Sequence, residues 1–308
     1  MSNSFNKKLV SLWFALAFLT VSVGFSCRSG AAGTSNQVGT RHMTDDLGRT
    51  VKVPTTITRA ISLAPSITES VFAVGAGDRL VGVTTYCNYP AEARSIQKVG
   101  DSISPNLETI VALKPDVVLI STASQIEAFK NILEQNGIAV YVTNPGSLDG
   151  IFKNLEQLGE LFGTNAQATA LVNNLRERVD SVSKRVETDK PLRLFVQISR
   201  EPLFTIGKES FMTAIVEKAG GQSVTADVET AYPKLSKETA LALDPDAIIL
   251  SASDDNREPN DVFKNSKAVK NGKVFSIGAD LLSRPGPRLV DALEQIAKQL
   301  HPEKFENN

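Results

Sequence analysis

The chain is short of the residues on which catalysis and metal binding most often rest. Its 308 residues include two cysteines, two histidines and one tryptophan, and aromatic residues make up only 6%. The histidines, His42 and His301, stand near opposite ends and are read as lying outside the folded lobes. No histidine is then at hand to serve as base for a serine or cysteine nucleophile. The same shortage excludes a histidine-rich zinc or manganese site, so neither a metal centre nor a resident cofactor is expected. Cys87 has no histidine near it in sequence and reads as a packed thiol. No sign of charge dominates: the formal net charge is −1 and no long basic run occurs, which argues against a nucleic-acid partner. Phosphate loops are missing too. Gly207-Lys208-Glu209-Ser210 lacks the upstream glycine and places glutamate after the lysine, while Gly75-Ala76-Gly77 closes a helix where a dinucleotide fingerprint opens one. The paired carboxylates Asp254 and Asp255 fall in a polar loop. An enzyme is not expected.

One long apolar run exists, and it is N-terminal. Lys7 and Lys8 precede Leu9 to Phe25, a charged segment followed by a hydrophobic one, which is the pattern of an export signal. A retained membrane anchor is the alternative, since the run is near the lower length limit for a span. Ser26-Cys27 ends the run, and residues 28–43 are a polar tether. This resembles a bacterial lipoprotein signal, with residues 1–27 as leader and Cys27 lipidated. Gly24 and Phe25 depart from the usual aliphatic and small residues of that signal. With Cys27 so used, no internal disulfide can form and the fold depends on its core. A hydrophobic fraction of 42% with 22% charged residues is that of a globular protein able to build one.

The stretch Arg59 to Pro90 organises the rest of the chain. Ile61 to Ala64 reads as a buried strand end stopped by Pro65, and Ser66 with Glu69 has capping-box spacing. Gly75 and Gly77 end that helix, Leu80 to Val83 is a second strand, and Thr84 to Pro90 is a polar, aromatic loop. Asp45 to Pro54 suggests a hairpin before them. Helix over Asn106–Leu113, strand over Val117–Ile120, helix over Ile126–Gln135 and strand over Ile138–Val142 complete a first lobe, residues 44–147, with the alternation of a parallel sheet covered on both faces. Residues 148–188 are helical: Leu148–Phe162, then a long helix to Val186 with Ala168, Val172, Leu175, Val179, Val182 and Val186 as one apolar stripe. A coiled-coil seam is the alternative, but the repeat stops within three heptads. Strand and helix alternate again over residues 189–308. NLETIVALKPDVVLIS from Asn106 aligns without a gap on SKETALALDPDAIILS from Ser236, pairing Glu108 with Glu238, Pro115 with Pro245 and Asp116 with Asp246. The expectation is an α/β protein of two lobes of one design joined by a single long interlobe helix, with a ligand cleft between them. Tyr86, Tyr89 and Tyr232, three of four tyrosines, sit in candidate cleft loops, and Arg200 and Arg284 follow strands. For each arginine a surface salt bridge is the alternative.

RAISLAPSITE, VGVTTYCNYP, NLETIVALKPDVVLIS, FTIGKESF with AGG, and SRPGPRLVDALEQIA together resemble the periplasmic cobalamin and ferric-siderophore binding proteins of ABC importers, over roughly residues 44–300. The resemblance implies Rossmann-like lobes, no enzyme activity, and a monomer in the periplasm or cell envelope, lipid-anchored to the membrane, that hands a corrinoid or metal chelate to a permease dimer. The ligand itself would carry the cobalt or iron. By similarity Tyr86 stands where a tyrosine contacts the corrin and Tyr232 where a tryptophan does, Asp280 and Arg284 are polar ligand contacts, and Glu108 and Glu238 dock onto permease arginines; from their matching loops Tyr86 and Tyr232 are expected to face each other across the cleft. Helix capping is the plainer reading of those glutamates. Tryptophans of the cobalamin pocket fall near Ser102 and Ser121 here, so the pocket is less aromatic. A siderophore or haem is the alternative ligand, since Arg200 and Arg284 would suit an anion. An assembly protein with an empty cleft and a hydrolase using acidic residues are the readings from other classes.

Overall fold

In the computed structural model, which describes residues 39–122, 126–187 and 190–306, a small antiparallel hairpin precedes two parallel sheets. The leader 1–27, Cys27 and the tether up to Val38 lie outside the described residues. The hairpin is β1 (Thr40–Thr44) on β2 (Thr50–Pro54), so the first strand starts inside the expected tether and Asp45–Arg49 is its turn. Asp45 closes that turn by accepting from the Leu47 and Arg49 amides at 3.0 and 2.9 Å. His42 is a strand residue opposite Lys52.

The first sheet is built from β3 (Ala60–Ser62), β4 (Leu80–Val83), β5 (Val117–Ser121) and β6 (Ala139–Thr143), with α1 (Pro65–Ala73), α2 (Leu107–Ala112) and α3 (Ile126–Gln135) between them. Its order is β4-β3-β5-β6, all parallel. After α4 (Leu148–Phe162) and α5 (Asn165–Val186) come β7 (Leu192–Gln197), α6 (Phe211–Lys218), β8 (Gly221–Ser223), α7 (Lys237–Leu243), β9 (Ala247–Ala252), α8 (Lys267–Lys270), β10 (Val274–Gly278), α9 (Ala279–Leu282) and α10 (Leu289–Leu300). The second sheet runs β8-β7-β9-β10, again parallel. Numbering strands from one in each lobe, both orders are 2-1-3-4.

The repeat extends to backbone detail. The turn before β5 places Lys114 at φ 47° and the turn before β9 places Asp244 at φ 37°, left-handed values that non-glycine residues seldom adopt. Each is held the same way. Asp116 accepts from the Arg59 amide at 2.9 Å while the Arg59 guanidinium donates to the Leu113 carbonyl at 2.6 Å. Asp246 accepts from the Arg193 amide at 3.2 Å while the Arg193 guanidinium donates to the Leu243 carbonyl at 2.8 Å.

Three local expectations are corrected. The helix over Ser66 does not open with a capping box: Ala64 is the N-cap, Pro65 occupies the first turn, no side chain caps the helix, and Glu69 is buried in an ion-pair network. Proline at the first helical turn removes a donor that would be orphaned anyway, which is why the helix starts there. Gly75 does take the left-handed conformation that ends α1, at φ 80°, but Gly77 serves a close approach, since a Cβ on it would lie 2.1 Å from the Phe72 ring. His301 is likewise not remote from the second lobe: it is buried, with Nε2 3.3 Å from the Gly220 carbonyl.

The connector is apolar along the expected stripe: Ala168, Val172, Leu175, Val179, Val182 and Val186 are all buried. At about 1.5 Å rise per residue, the 22 residues of α5 span roughly 33 Å. One continuous core cluster runs from Ile67 and Leu119 of the first lobe through Leu155, Leu175 and Val179 to Ile249 and Leu293 of the second. Arg178 of α5 clamps α10 through Asp291 at 2.6 Å and Glu294 at 2.8 Å, bonds that raise the guanidinium pKa further. Bending this connector would open a packed core, and no Pro or Gly within Asn165–Val186 offers a kink. Ligand is therefore expected to leave the radius of gyration unchanged within about 1 Å in solution scattering, whereas a hinge closure would contract the molecule by several Å.

Candidate functional site: the interlobe cleft

In parallel α/β sheets the crevice outside the carboxyl ends of the strands is where ligands sit. Here both sheets present that end to one cleft of about 470 Å³. The first lobe supplies Ala64 to Ile67 at the uncapped start of α1, Ser121 and Thr122 after β5, and Thr143 to Gly146 after β6. The second supplies Glu209 and Phe211 at the start of α6, Ala231 and Tyr232, and Ser283 to Pro285 before α10. Hydroxyls and amides predominate among the polar groups: Ser66, Ser70, Ser102, Ser121, Thr122 and Asn144 face Tyr232 and Ser283. Ser102 and Ser121, the positions compared above with pocket tryptophans, are cleft residues.

A tight contact builds the second-lobe wall. Gly207 donates to the Ala231 carbonyl at 2.9 Å and Lys208 to the Val228 carbonyl at 2.8 Å, so the loop carrying Glu209 lies directly on the loop carrying Tyr232. A Cβ on Gly207 would stand 2.0 Å from the Thr230 carbonyl oxygen, which only glycine avoids. Tyr232 keeps 43% of its surface exposed, and partial burial pushes its phenol above the ordinary value against an opposing bond with Ser210.

Arg284 lines the cleft, but its charge is spent on protein partners. Its Nη1 donates to Glu69 Oε1 at 2.8 Å and to Asn88 Oδ1 at 2.9 Å, and its Nη2 meets Asp280 at 2.6 Å. Asn88 Nδ2 in turn donates to Asp280 at 3.0 Å. Glu69 also accepts from Arg288, Nε to Oε2 at 2.8 Å and Nη2 to Oε1 at 2.7 Å, which raises the Arg288 pKa. This clasp ties α1 and the Thr84–Pro90 loop of one lobe to the Asp280–Arg288 segment of the other.

The remaining expected site residues separate. Tyr89 lies under Arg288, guanidinium carbon 3.9 Å from the ring centroid, and faces a second pocket of about 480 Å³ with Phe72, Leu171, Leu175 and Arg178. Tyr86 is 63% exposed on the same loop and is not among the side chains lining this cleft. Arg200 also lies outside the lining and pairs with Asp261 at 3.0 Å and Glu258 at 3.7 Å, the salt-bridge alternative. Asp280 is half exposed and braces Arg284 rather than lining the cleft. Cys87 is packed, its sulfur 3.1 Å from the hydroxyls of both Thr68 and Thr84. Glu108 and Glu238 are exposed in the first turns of α2 and α7, whose caps are Asn106 and Ser236, not the glutamates. The Glu238 carboxyl is held below its ordinary pKa by its own backbone amide and the Ser236 hydroxyl. Sequence assigns Glu69 only to a capping box and gives Asn88 and Arg288 no role. Arg288 had one available signal, its place four residues after Arg284 in the SRPGPR stretch.

A family model described as periplasmic binding protein matches residues 61–281. The chain belongs to the periplasmic binding protein family. Among the relatives of this family member, an uncharacterized ABC transporter substrate-binding lipoprotein, YvrC of Bacillus subtilis strain 168, is 30% identical over 97% of this chain and 99% of its own. A vitamin B12-binding protein of Vibrio cholerae is 32% identical over 79% of this chain and 88% of its own. The crystal structure of the periplasmic vitamin B12 binding protein BtuF of Vibrio cholerae matches with a TM-score of 0.69 and 29% identity, covering 82% of this chain and all of that one. The two-lobe architecture is that of the family.

Proposed function

We propose that this protein is the extracytoplasmic substrate-binding component of an ABC importer, anchored through a lipid on Cys27, which takes up a corrinoid such as cobalamin and delivers it to a membrane permease without altering it. The observation that carries the ligand class is the cleft lining. Among the described residues it offers hydroxyls, amides, one aromatic wall and a single unpaired carboxylate, Glu209, with its single arginine already neutralised by Glu69 and Asp280. A corrinoid, ringed by neutral amide side chains, meets such a surface without stranding charge, whereas the carboxylates of haem or a ferric siderophore would find no free cation there. The relatives named vitamin B12-binding protein support the same reading. Equilibrium titration with cyanocobalamin, haem and a ferric siderophore tests the choice. Saturable binding of cyanocobalamin in preference to the others is expected; preference for haem or the siderophore would refute it.

Delivery has its own test. Exposed in first turns whose N-cap side chains are Asn106 and Ser236, Glu108 and Glu238 occupy equivalent places in the two lobes, as a two-fold permease with one basic pocket per subunit requires. Charge pairs of this kind set orientation and encounter rate. Reversing both to Lys is expected to abolish stimulation of the transporter's ATPase with ligand affinity and melting temperature unchanged; a fall in either of the latter would make the carboxylates structural.

A further inference from the structure

We infer that Glu209 makes the cleft selective for the charge of its ligand, favouring a corrinoid with a positive charge at its metal, then a neutral one, over one that bears a free carboxylate. This rests on the corrinoid reading and adds the charge class to it. Among the described residues two charged side chains line the cleft, Glu209 and Arg284. They are not equivalent. Arg284 has three partners, Glu69, Asn88 and Asp280, and its side chain is only 12% exposed. Glu209 is exposed and makes no hydrogen bond or ion pair among the described residues, because its neighbour Lys208 turns to Glu229 at 2.9 Å. Glu209 is thus, among the described residues, the one charged side chain of the lining without a charged partner, and a cleft whose low-dielectric walls carry one sign of charge focuses it on whatever enters.

Glu209 is also held in place. The bonds from Gly207 and Lys208 to the Ala231 and Val228 carbonyls fix the segment, and Ser210 caps α6 by accepting from the Met212 amide at 3.2 Å. The competing explanation is a solvated carboxylate that suits the start of α6 through the helix dipole. That role would stabilise the helix and leave binding indifferent to ligand charge, so the two readings diverge in one experiment.

The full chain is titrated at low salt with three probes on one scaffold: aquocobalamin, cyanocobalamin, and a cobalamin monocarboxylic acid made by hydrolysing one peripheral amide. Wild type is expected to bind aquocobalamin about threefold tighter, and the acid about threefold weaker, than cyanocobalamin, the scale of an exposed charge interaction. Glu209→Gln should collapse that spread, and Glu209→Lys should invert it. Added salt should shrink the wild-type spread. The same spread in Glu209→Gln as in wild type, or equal affinity for all three probes in wild type, would overturn this inference alone. Failure of all three to bind would overturn the corrinoid reading and the inference with it.

Discussion

Replacing Glu69 with Gln is expected to lower stability by about 3 kcal/mol, the scale of breaking a buried pair. The Glu69 side chain is 1% exposed, and its two oxygens serve Arg284, 12% exposed, and Arg288, 21% exposed. Their partner gone, two cations that folding has largely withdrawn from water are left with Asn88, Asp280 and the face of Tyr89. For a protein of this size the loss corresponds to a fall in melting temperature of roughly 6–12 °C. Because Glu69 sits in one lobe and both arginines in the other, the loosened state should also show faster amide exchange in α1 and in the Asp280–Arg288 segment. The double variant Glu69→Gln, Arg288→Gln removes a cation along with the carboxylate and should cost less than the two single losses added together. An unchanged melting temperature in Glu69→Gln, or strict additivity in the cycle, would mean the clasp is incidental.

Gly207→Ala should damage binding and stability together. The added methyl would lie 2.0 Å from the Thr230 carbonyl oxygen and 2.6 Å from that of Val228, both backbone atoms that cannot rotate away. Relief requires the Val228–Tyr232 loop to move off the Gly207–Ser210 segment, breaking the bonds from Gly207 and Lys208 and carrying Tyr232 out of the cleft wall. Overpacking of this kind costs about 1–3 kcal/mol, and displacement of an aromatic anchor should weaken ligand binding by about tenfold or more. Gly146→Ala is the matched control. Gly146 also lines the cleft, yet a methyl there meets nothing within 4 Å, so melting temperature should hold. Equal behaviour of the two variants in thermal melts would contradict the steric account.

These two residues mark where sequence reasoning stops. Elements were legible wherever one periodic pattern sufficed: the α5 stripe is buried residue for residue, and the Asn106 and Ser236 segments correspond down to their left-handed turns at Lys114 and Asp244. The repeat therefore disclosed both sheets and the cleft between them. Glu69 was masked because S-x-x-E spacing before an apolar helix is a local signal, and what occupies Glu69 is a pair of arginines more than two hundred positions away, with nothing local to announce them. Arg200 and Arg284 both follow strands and look alike in sequence. Only the positions of Asp261 and Glu258 decide that Arg200 is tied to its own lobe. Tyr86 and Tyr89 illustrate the limit of loop reasoning, since a loop at the mouth of a cleft has two faces, and Tyr89 is turned onto Arg288 on the side of the second pocket.

The central claim, that a corrinoid occupies the interlobe cleft against the Tyr232 wall, is tested most directly by a fluorescent residue placed there. Trp13 is the only tryptophan in the chain, so Tyr232→Trp in a Trp13→Phe background carries a single reporter, half exposed in the cleft wall. Cyanocobalamin absorbs strongly in the visible and near ultraviolet and should quench that emission in a saturable way, with a midpoint equal to the one found by calorimetry on the same variant. Calorimetric binding that leaves the tryptophan emission unchanged, or no saturable response to cyanocobalamin in either measurement, would contradict it.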